Sequence, residues 1–533
     1  MGCLAAPAAA QDPPPAFDAP DTAARAAPRP WRVIGGIEEE RERAGQLRGA
    51  PADGGFLLRS LSSRTPRRDG GAYLAVLAPR VEAVWNSRIP FSANDGPLWA
   101  GRGVSVRTLA GVEAVAGPLR LIVAPELVHQ ENRSFDALLP QGWDSAQVGR
   151  FTAPWSTGTH SVDLPYRFGD GPMTTVFAGE SSLALRLGAV EAGAATESQW
   201  WGPGARNAIV LSNHAGGFPH LFLRTARGIR TPLGTVEARW IAGRLSSSPF
   251  DTASVGRHRS LSAAAVVVSP GAGLSLGAAR AVYAPAGGGA DALGDAGAVF
   301  SRWRGAGDTT ASRPYDQLSS LFARWVAPGE GAEVYAEWAR RRLPGSLRDA
   351  LEQPEHTQGF TLGAGWAGTG LGGVMRLQGE ATYLEKSATY RARPTASWYA
   401  GRAVPQGYTH RGQVLGAAVG PGGSGQWVAV DWLRPRAQAG LFATRVRWAN
   451  DAYYDKPGGH NRYRAHDVSI LWGARGGFAV GGAWVDAEWT AGRRYNFLFQ
   501  NPATGWEDRH LSVSPYNHTL RLRLSTAPPP LPR

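Results

Sequence analysis

The sequence predicts an all-β fold: a large antiparallel transmembrane β-barrel of about 16–18 strands, with 18 favoured, closed by a short N-terminal helical plug. Three observations predict it. From residue 73 to residue 524 apolar and polar residues alternate with period two, the mark of strands with one apolar and one polar face. The longest apolar run, 263–268, falls far short of the roughly 18 residues a membrane-spanning helix needs, while a closed barrel satisfies every backbone group in lipid. Connections are by turns short and Gly/Pro-centred, as at Gly117-Pro118 and 231–234, or long and polar, as in outer-membrane barrels.

The chain divides into five stretches. Residues 1–10 resemble the end of a truncated signal peptide, with small residues before a cleavage point near Ala10. Residues 11–36 read as a disordered Pro/Ala-rich leader. Residues 37–72 form the plug segment: 37–48 has helical composition with charge pairs at helical spacing, and 56–61 reads as a second short helix. Residues 73–524 form the barrel, and 525–533 a Pro-rich tail. At about 25 residues per strand plus connection, an even count near 16 or 18 follows.

Alternation assigns the faces. Val334, Ala336 and Trp338 oppose Glu333, Tyr335 and Glu337; His518, Leu520, Leu522 and Leu524 oppose Thr519, Arg521 and Arg523. In 441–448, Phe442, Thr444, Val446 and Trp448 oppose Arg445 and Arg447. Polar faces carrying Arg and Glu suit an ion-paired lumen, and Trp and Tyr near strand ends suit interfacial girdles.

Composition narrows the partners. The net charge is +13, carried almost wholly by arginine, since Lys386 and Lys456 are the two lysines among 533 residues. Such a protein meets anionic partners. Dispersed arginines without a basic tail or recognised module argue against nucleic acid. Cys3 is the single cysteine, so no disulfide forms within the chain.

Patterns that would carry chemistry lack their context. Gly273-Leu274-Ser275-Leu276-Gly277 matches a nucleophile elbow without the helix that must follow. The stretch 368–373 matches a dinucleotide fingerprint outside any strand-helix-strand unit, and reads as a glycine-rich turn. His214 and His220 have no metal-ligand spacing, and the carboxylates form no recognisable catalytic pair. The chain is therefore read as not an enzyme, with no cofactor and no metal.

Three segments stand out: 86–90 leading to Asn94-Asp95-Gly96-Pro97-Leu98-Trp99-Ala100-Gly101-Arg102-Gly103; Trp200-Trp201-Gly202-Pro203-Gly204 running through Arg206 and Asn207 to Ser212-Asn213; and Tyr408-Thr409-His410-Arg411-Gly412 followed by Gly416. Together, in this order and spacing, they resemble the Wzi family of outer-membrane capsule-assembly proteins. The resemblance implies an outer-membrane barrel of a Gram-negative-type bacterium, closed on the periplasmic side by N-terminal helices. It also implies a lectin-like, non-enzymatic role in attaching capsular polysaccharide at the cell surface. The sequence departs from the family at His214, where the family more often has a second Asn, and in its Pro-rich end.

For Asn94, Asp95, Trp99 and Arg102 a fold-holding role leads ligand contact, because Asn-Asp-Gly favours a tight turn and Arg102 offers five donors. Tyr408, His410 and Arg411 divide likewise, with Tyr408 and His410 on one face and Arg411 on the other. Trp200 and Trp201 read as girdle or lumen packing. Arg206 and Asn207, beyond the turn, are the better candidates for ligand contact, with Asn213 following. The expected partners are an acidic surface polysaccharide, outer-membrane lipid and lipopolysaccharide, for a monomer. A passive anion-selective channel is the competing expectation.

Overall fold

Period-two alternation over more than 400 residues builds one closed antiparallel barrel. The computed structural model describes residues 32–525 apart from 51–55, 68–70, 136–168, 170, 249, 251–257, 304–312, 402–403, 455–464 and 500–511. The signal-like segment, most of the leader and nearly all of the tail lie outside the described residues. Eighteen strands close the wall. They are β1 Tyr73–Asn86, β2 Gly103–Ala116, β3 (Leu119–Val123 continued by Glu126–Gln130), β4 (Met173–Phe177 continued by Ser182–Leu187), β5 Val190–Ala195, β6 (His220–Thr225 continued by Ile229–Thr231), β7 Gly234–Ser246, β8 His258–Gly271 and β9 Leu274–Ala286. The second half continues with β10 Asp316–Ala327, β11 Ala332–Arg340, β12 Gln358–Gly370, β13 Gly373–Tyr383, β14 Ser424–Leu433, β15 Ala437–Trp448, β16 Asp467–Val480, β17 Ala483–Tyr495 and β18 Tyr516–Ser525. Each strand pairs antiparallel with its sequence neighbour, and β1 pairs with β18 from Arg80↔Ser525 to Asn86↔Thr519, so no edge is left open.

Side chains sort across the wall as alternation requires. On β11, Glu333, Tyr335 and Glu337 are buried inward while Val334 and Trp338 face out. On β18, Leu522 and Leu524 face out; Arg523 points in, 3.0 Å from both Glu82 and Asp486. β15 corrects the general expectation that arginine faces line the lumen. Its apolar set, Phe442 and Val446, is buried inside, and Phe442 packs on Trp427. Its arginines are held outside, Arg445 by Gln426 (3.1 Å) and Arg447 by Glu385 (3.2 Å). Alternation fixes two faces but not which one meets water, and here an apolar inner loop stands opposite the strand.

Connections alternate as predicted: tight turns at one end, long segments at the other. The dinucleotide-like stretch is a two-residue hairpin turn, with Leu371 and Gly372 at φ +50° and +67°. In the Ser275 pattern Gly273 turns the chain and Leu274 to Gly277 open strand β9, where a nucleophile elbow would need a helix to start. At the short-turn end, outward Trp325 and Trp432 donate their indole N–H groups to Ala272 O (3.2 Å) and Leu371 O (3.3 Å). Ring bodies lie along the wall and polar tips meet the turns, as an interfacial girdle requires.

The plug lies inside the wall. Helix α1, Ile37–Leu47, puts Ala44 and Leu47 against Val326, Ala367, Val374 and Leu433 near the short turns. Its charged side chains reach the strands: Arg43 Nε to Glu333 Oε1 at 2.6 Å, and Glu40 to Arg376 at 2.8 Å and Arg475 at 2.9 Å. Burial pushes the Glu40 carboxyl up, but Arg475 and Arg376 outweigh it and hold the group at about 2. Residues 56–61 differ from expectation. Leu58 and Arg59 form a two-residue ladder with Trp201 and Trp200, and a one-turn helix, α2 Leu61–Arg64, starts only after Ser60 caps it. The ladder wins because Leu58 is buried against the inner loops, which an isolated short helix cannot offset.

Glu333 compensates two buried cations, Arg43 and Arg324 (2.8 Å). Glu333→Ala is expected to destabilise the barrel by about 3–5 kcal/mol, the usual effect of stranding a buried charge. A lowered denaturation temperature in the heat-dependent gel migration of the purified barrel checks this; an unchanged transition refutes it.

Candidate functional site

The long-loop half of the lumen is filled by three connections that fold inward: 87–102 between β1 and β2, 196–219 between β5 and β6, and 384–423 between β13 and β14. These carry the three sequence motifs, and the motifs meet. Gly96 N donates to Asn213 O at 2.9 Å, and Asn94 N donates to His214 Nδ1 at 3.3 Å. Gln413 Nε2 donates to Gly96 O at 3.0 Å and to His214 O at 3.4 Å. Ser212 N donates to Leu415 O at 2.8 Å. Segments up to 317 residues apart in sequence are thus tied into one knot on the barrel axis side of the wall.

Local backbone chemistry explains the residue types. Asn94 (φ +59°) and Gly96 (φ +62°) make the turn that presents these amides, and Asn tolerates this region better than most residues. Gly202 sits at φ +122°, and a Cβ there would lie 3.2 Å from Glu337 Oε2. At Gly204 a Cβ would lie 2.0 Å from Asn207 O, so the Trp-Trp-Gly-Pro-Gly turn closes only with glycine. The Trp201 and Trp200 rings are then buried in the lumen. Trp201 lies in the main apolar cluster and Trp200 lies under the Arg59 guanidinium at 5.0 Å.

The remaining predicted residues take distinct places. Asp95 accepts from Ser92 Oγ (2.7 Å) and Ala93 N (3.0 Å) and pairs with Arg521 of β18. Asn213 Nδ2 donates to Ile34 O (3.1 Å) and Asn94 O (3.2 Å), tying the leader's end to the knot. Arg206 lays its guanidinium 5.3 Å from the Trp427 ring centre, while the Ala205 and Arg206 N–H groups and Asn207 Nδ2 donate to Glu380. Tyr408 is fully buried between Tyr283 and Tyr399. His410 is buried and its Nδ1 accepts from Ser246 N at 3.2 Å. Arg411 turns the small hairpin (φ +51°) and is exposed, so the division of Tyr408 and His410 from Arg411 holds. Trp99 and Arg102 stand apart from the knot. Arg102 donates to Ser87 O (3.4 Å) and Ser134 O (2.6 Å) at the end of β1 and β2.

Sequence reading missed Glu337, Glu380, Gln413 and Trp427. Gln413 lies two residues beyond Arg411 in the same motif; the two glutamates gave no signal because their partners are backbone N–H groups from a distant loop. Among the described residues, cavities border these loops. One of about 230 Å³ lies between β3, β4 and the hairpin of Arg411. One of about 70 Å³ is lined by Arg206, Asn207, Trp427 and Trp448, and one of about 50 Å³ lies beneath it over Glu40 and Arg43. Among the described residues no group of three His, Cys, Asp or Glu is placed to hold a metal.

A closed eighteen-strand wall with an apolar outer face, a lumen-filling helix and inward-folded long loops defines a plugged outer-membrane β-barrel. The family of the capsule assembly protein Wzi matches over residues 112–492, and the chain belongs to that family. Among solved structures it is similar to Wzi of Escherichia coli, a carbohydrate-binding outer-membrane barrel involved in group 1 capsule assembly. The two share 11% identity at a TM-score of 0.53, covering 85% of this chain and 84% of that one. It is also similar to the outer-membrane protein OprD of Pseudomonas aeruginosa (8% identity, TM-score 0.37, 84% and 92% covered). Comparison with curated proteins finds no match. The family's role is assembly rather than catalysis.

Burial holds two loop imidazoles neutral, pushing His214 down to about 4 and His410, beside Arg411 and Arg259, to about 3. Folded values below the ordinary ~6.5 mean that the unfolded chain takes up protons first. Their contribution to stability is full above pH 6.5 and is lost as pH falls through 6.5 towards 4. Glu40, held at about 2, adds its own loss only below about pH 4.5. His214→Asn keeps an acceptor for Asn94 N and removes the titration. The variant is expected to lose less stability than the parent between pH 6.5 and 4.5 in parallel thermal melts; identical pH slopes contradict the assignment.

Proposed function

We propose that this barrel retains an acidic surface polysaccharide at its outer mouth during capsule assembly, as a monomer set in outer-membrane lipid and lipopolysaccharide. One observation carries the reading: among the described residues the lumen is packed by α1 and the inward loops, and its arginines are held by carboxylates. Arg43, Arg107, Arg224, Arg324, Arg376, Arg475 and Arg521 all pair with carboxylates inside the wall. Arginines so committed have little to offer a passing anion, which removes the selectivity element of an anion channel. A long acidic polymer instead meets many copies of the barrel, each contact combining arginine pairing with contact to sugar faces. Weak sites repeated along one polymer give avidity without a deep pocket.

Two measurements test the proposal. Purified barrel is expected to pull down the organism's own acidic capsular glycan at low salt and to release it at several hundred millimolar salt, where the Debye length falls to a few ångströms. No retention at low salt sinks the binding role. In a planar bilayer the plugged barrel is expected to be silent; steady anion-selective current would instead favour a channel.

A further inference from the structure

A cavity of about 230 Å³ lies behind Arg411. It lies between the inward faces of β3 and β4 and the hairpin 409–414, lined among others by Gln130, Thr175, Phe177, Arg411 and Gln413. Its volume is below the roughly 300–1,000 Å³ of sites for drug-sized ligands, so it takes one small ring and no more.

Its polar groups are unequally committed. The carboxylate on its wall, Glu126, is taken by Arg107. Gln413 is spent on Gly96 O and His214 O. Gln130 is not: it is 3% exposed, and its Oε1 is buried with no hydrogen-bond partner among the described residues. Burying an unpaired amide oxygen is costly, so a donor that reached Gln130 Oε1 from the cavity would recover that cost. Arg411 differs from the lumen arginines in the same sense. Its backbone N–H is fixed on Ser246 O at 2.9 Å, and its guanidinium lies 4.7 Å from the Phe177 ring centre. Among the described residues it has no carboxylate partner. An oriented cation with no carboxylate partner among the described residues, beside a one-ring cavity whose lining holds an unpaired acceptor, describes a carboxylated sugar.

We propose that this cavity is a subsite for a single uronic acid residue of an acidic polysaccharide. The sugar carboxylate pairs with the Arg411 guanidinium, and a ring hydroxyl donates to Gln130 Oε1. The assignment rests on the outer-mouth reading above and sharpens it to one sugar class and two residues.

Titration calorimetry of the whole detergent-solubilised barrel with D-glucuronate, D-glucose and inorganic phosphate tests it. Glucuronate is expected to bind at least tenfold more tightly than glucose or phosphate. Arg411→Asn, which suits the left-handed backbone, should weaken glucuronate at least tenfold and leave glucose unchanged; Arg411→Lys should recover part of the loss. Gln130→Leu should weaken glucuronate severalfold without abolishing its advantage over glucose. Heat-dependent gel migration identical to the parent's establishes that the variants fold. Equal affinity for glucuronate and glucose, phosphate matching glucuronate, or glucuronate affinity indifferent to Arg411→Asn in a folded variant each overturns the subsite. If the parent retains the intact glycan but these outcomes appear, the subsite alone fails. If the parent retains no acidic glycan, the outer-mouth reading fails as well.

Discussion

An eighteen-strand barrel encloses more space than its own inward side chains can fill, and the rest of the structure depends on how that space is occupied. Walls of 16–18 strands ordinarily leave an aqueous channel. Here α1 runs from the loop knot to the short turns and three connections fold in at the other end, converting the lumen into an interior. An interior with polar walls must neutralise its charges, and the carboxylates that do so are shared. Glu333 serves Arg43 and Arg324; Asp431 serves Arg376 and Arg475; Glu82 lies within 4 Å of Arg107, Arg521 and Arg523. Such pairs add little net stability over apolar packing, but stranding one partner is costly. They therefore act on position. A plug helix displaced by one turn would leave Glu40 away from Arg376 and Arg475, and Arg43 away from Glu333.

The wall was legible because its cause is local. Lipid on one side and a polar interior on the other impose a two-residue period on every strand, and tight turns at one end impose glycine. Length at about 25 residues per strand, with the even count of bacterial barrels, gave 16 to 18 strands, and the wall has 18. Inward or outward facing was legible on β11 and β18, where Glu or Arg opposes aliphatic residues. It failed as a general rule on β15, because Phe442 and Val446 face an apolar loop that no local pattern announces. The ladder at Leu58–Arg59 was missed for the same reason: its partner, Trp200–Trp201, lies about 140 residues away along the chain.

The motif residues proved recognisable because they are heavily constrained by the fold. Asn94 and Gly96 occupy left-handed backbone, Gly204 admits no Cβ, and Asn213 and His214 have partners on more than one segment. The same commitments fix how such a residue can meet a ligand, since its bonded groups are already oriented. Arg206 and Asn207 illustrate the point. Sequence position past the turn made them candidates for polysaccharide contact, yet Glu380 and Trp427 already hold them.

Arg411 reverses this relation. Its φ of +51° places a bulky side chain in a region that costs non-glycine residues roughly 1–2 kcal/mol. Gly412 follows it at φ +84°, so glycine is at home in this hairpin, and glycine or asparagine at 411 would close the same turn at lower cost. The backbone bond to Ser246 O would survive either replacement, because it uses the main-chain N–H. The fold thus asks for the conformation at 411 but not for the guanidinium, and its stack on Phe177 contributes about 1 kcal/mol, which at most offsets the strain. What the side chain adds that the hairpin does not require is an oriented positive charge beside a small polar cavity, and that addition is what an anionic sugar would recognise.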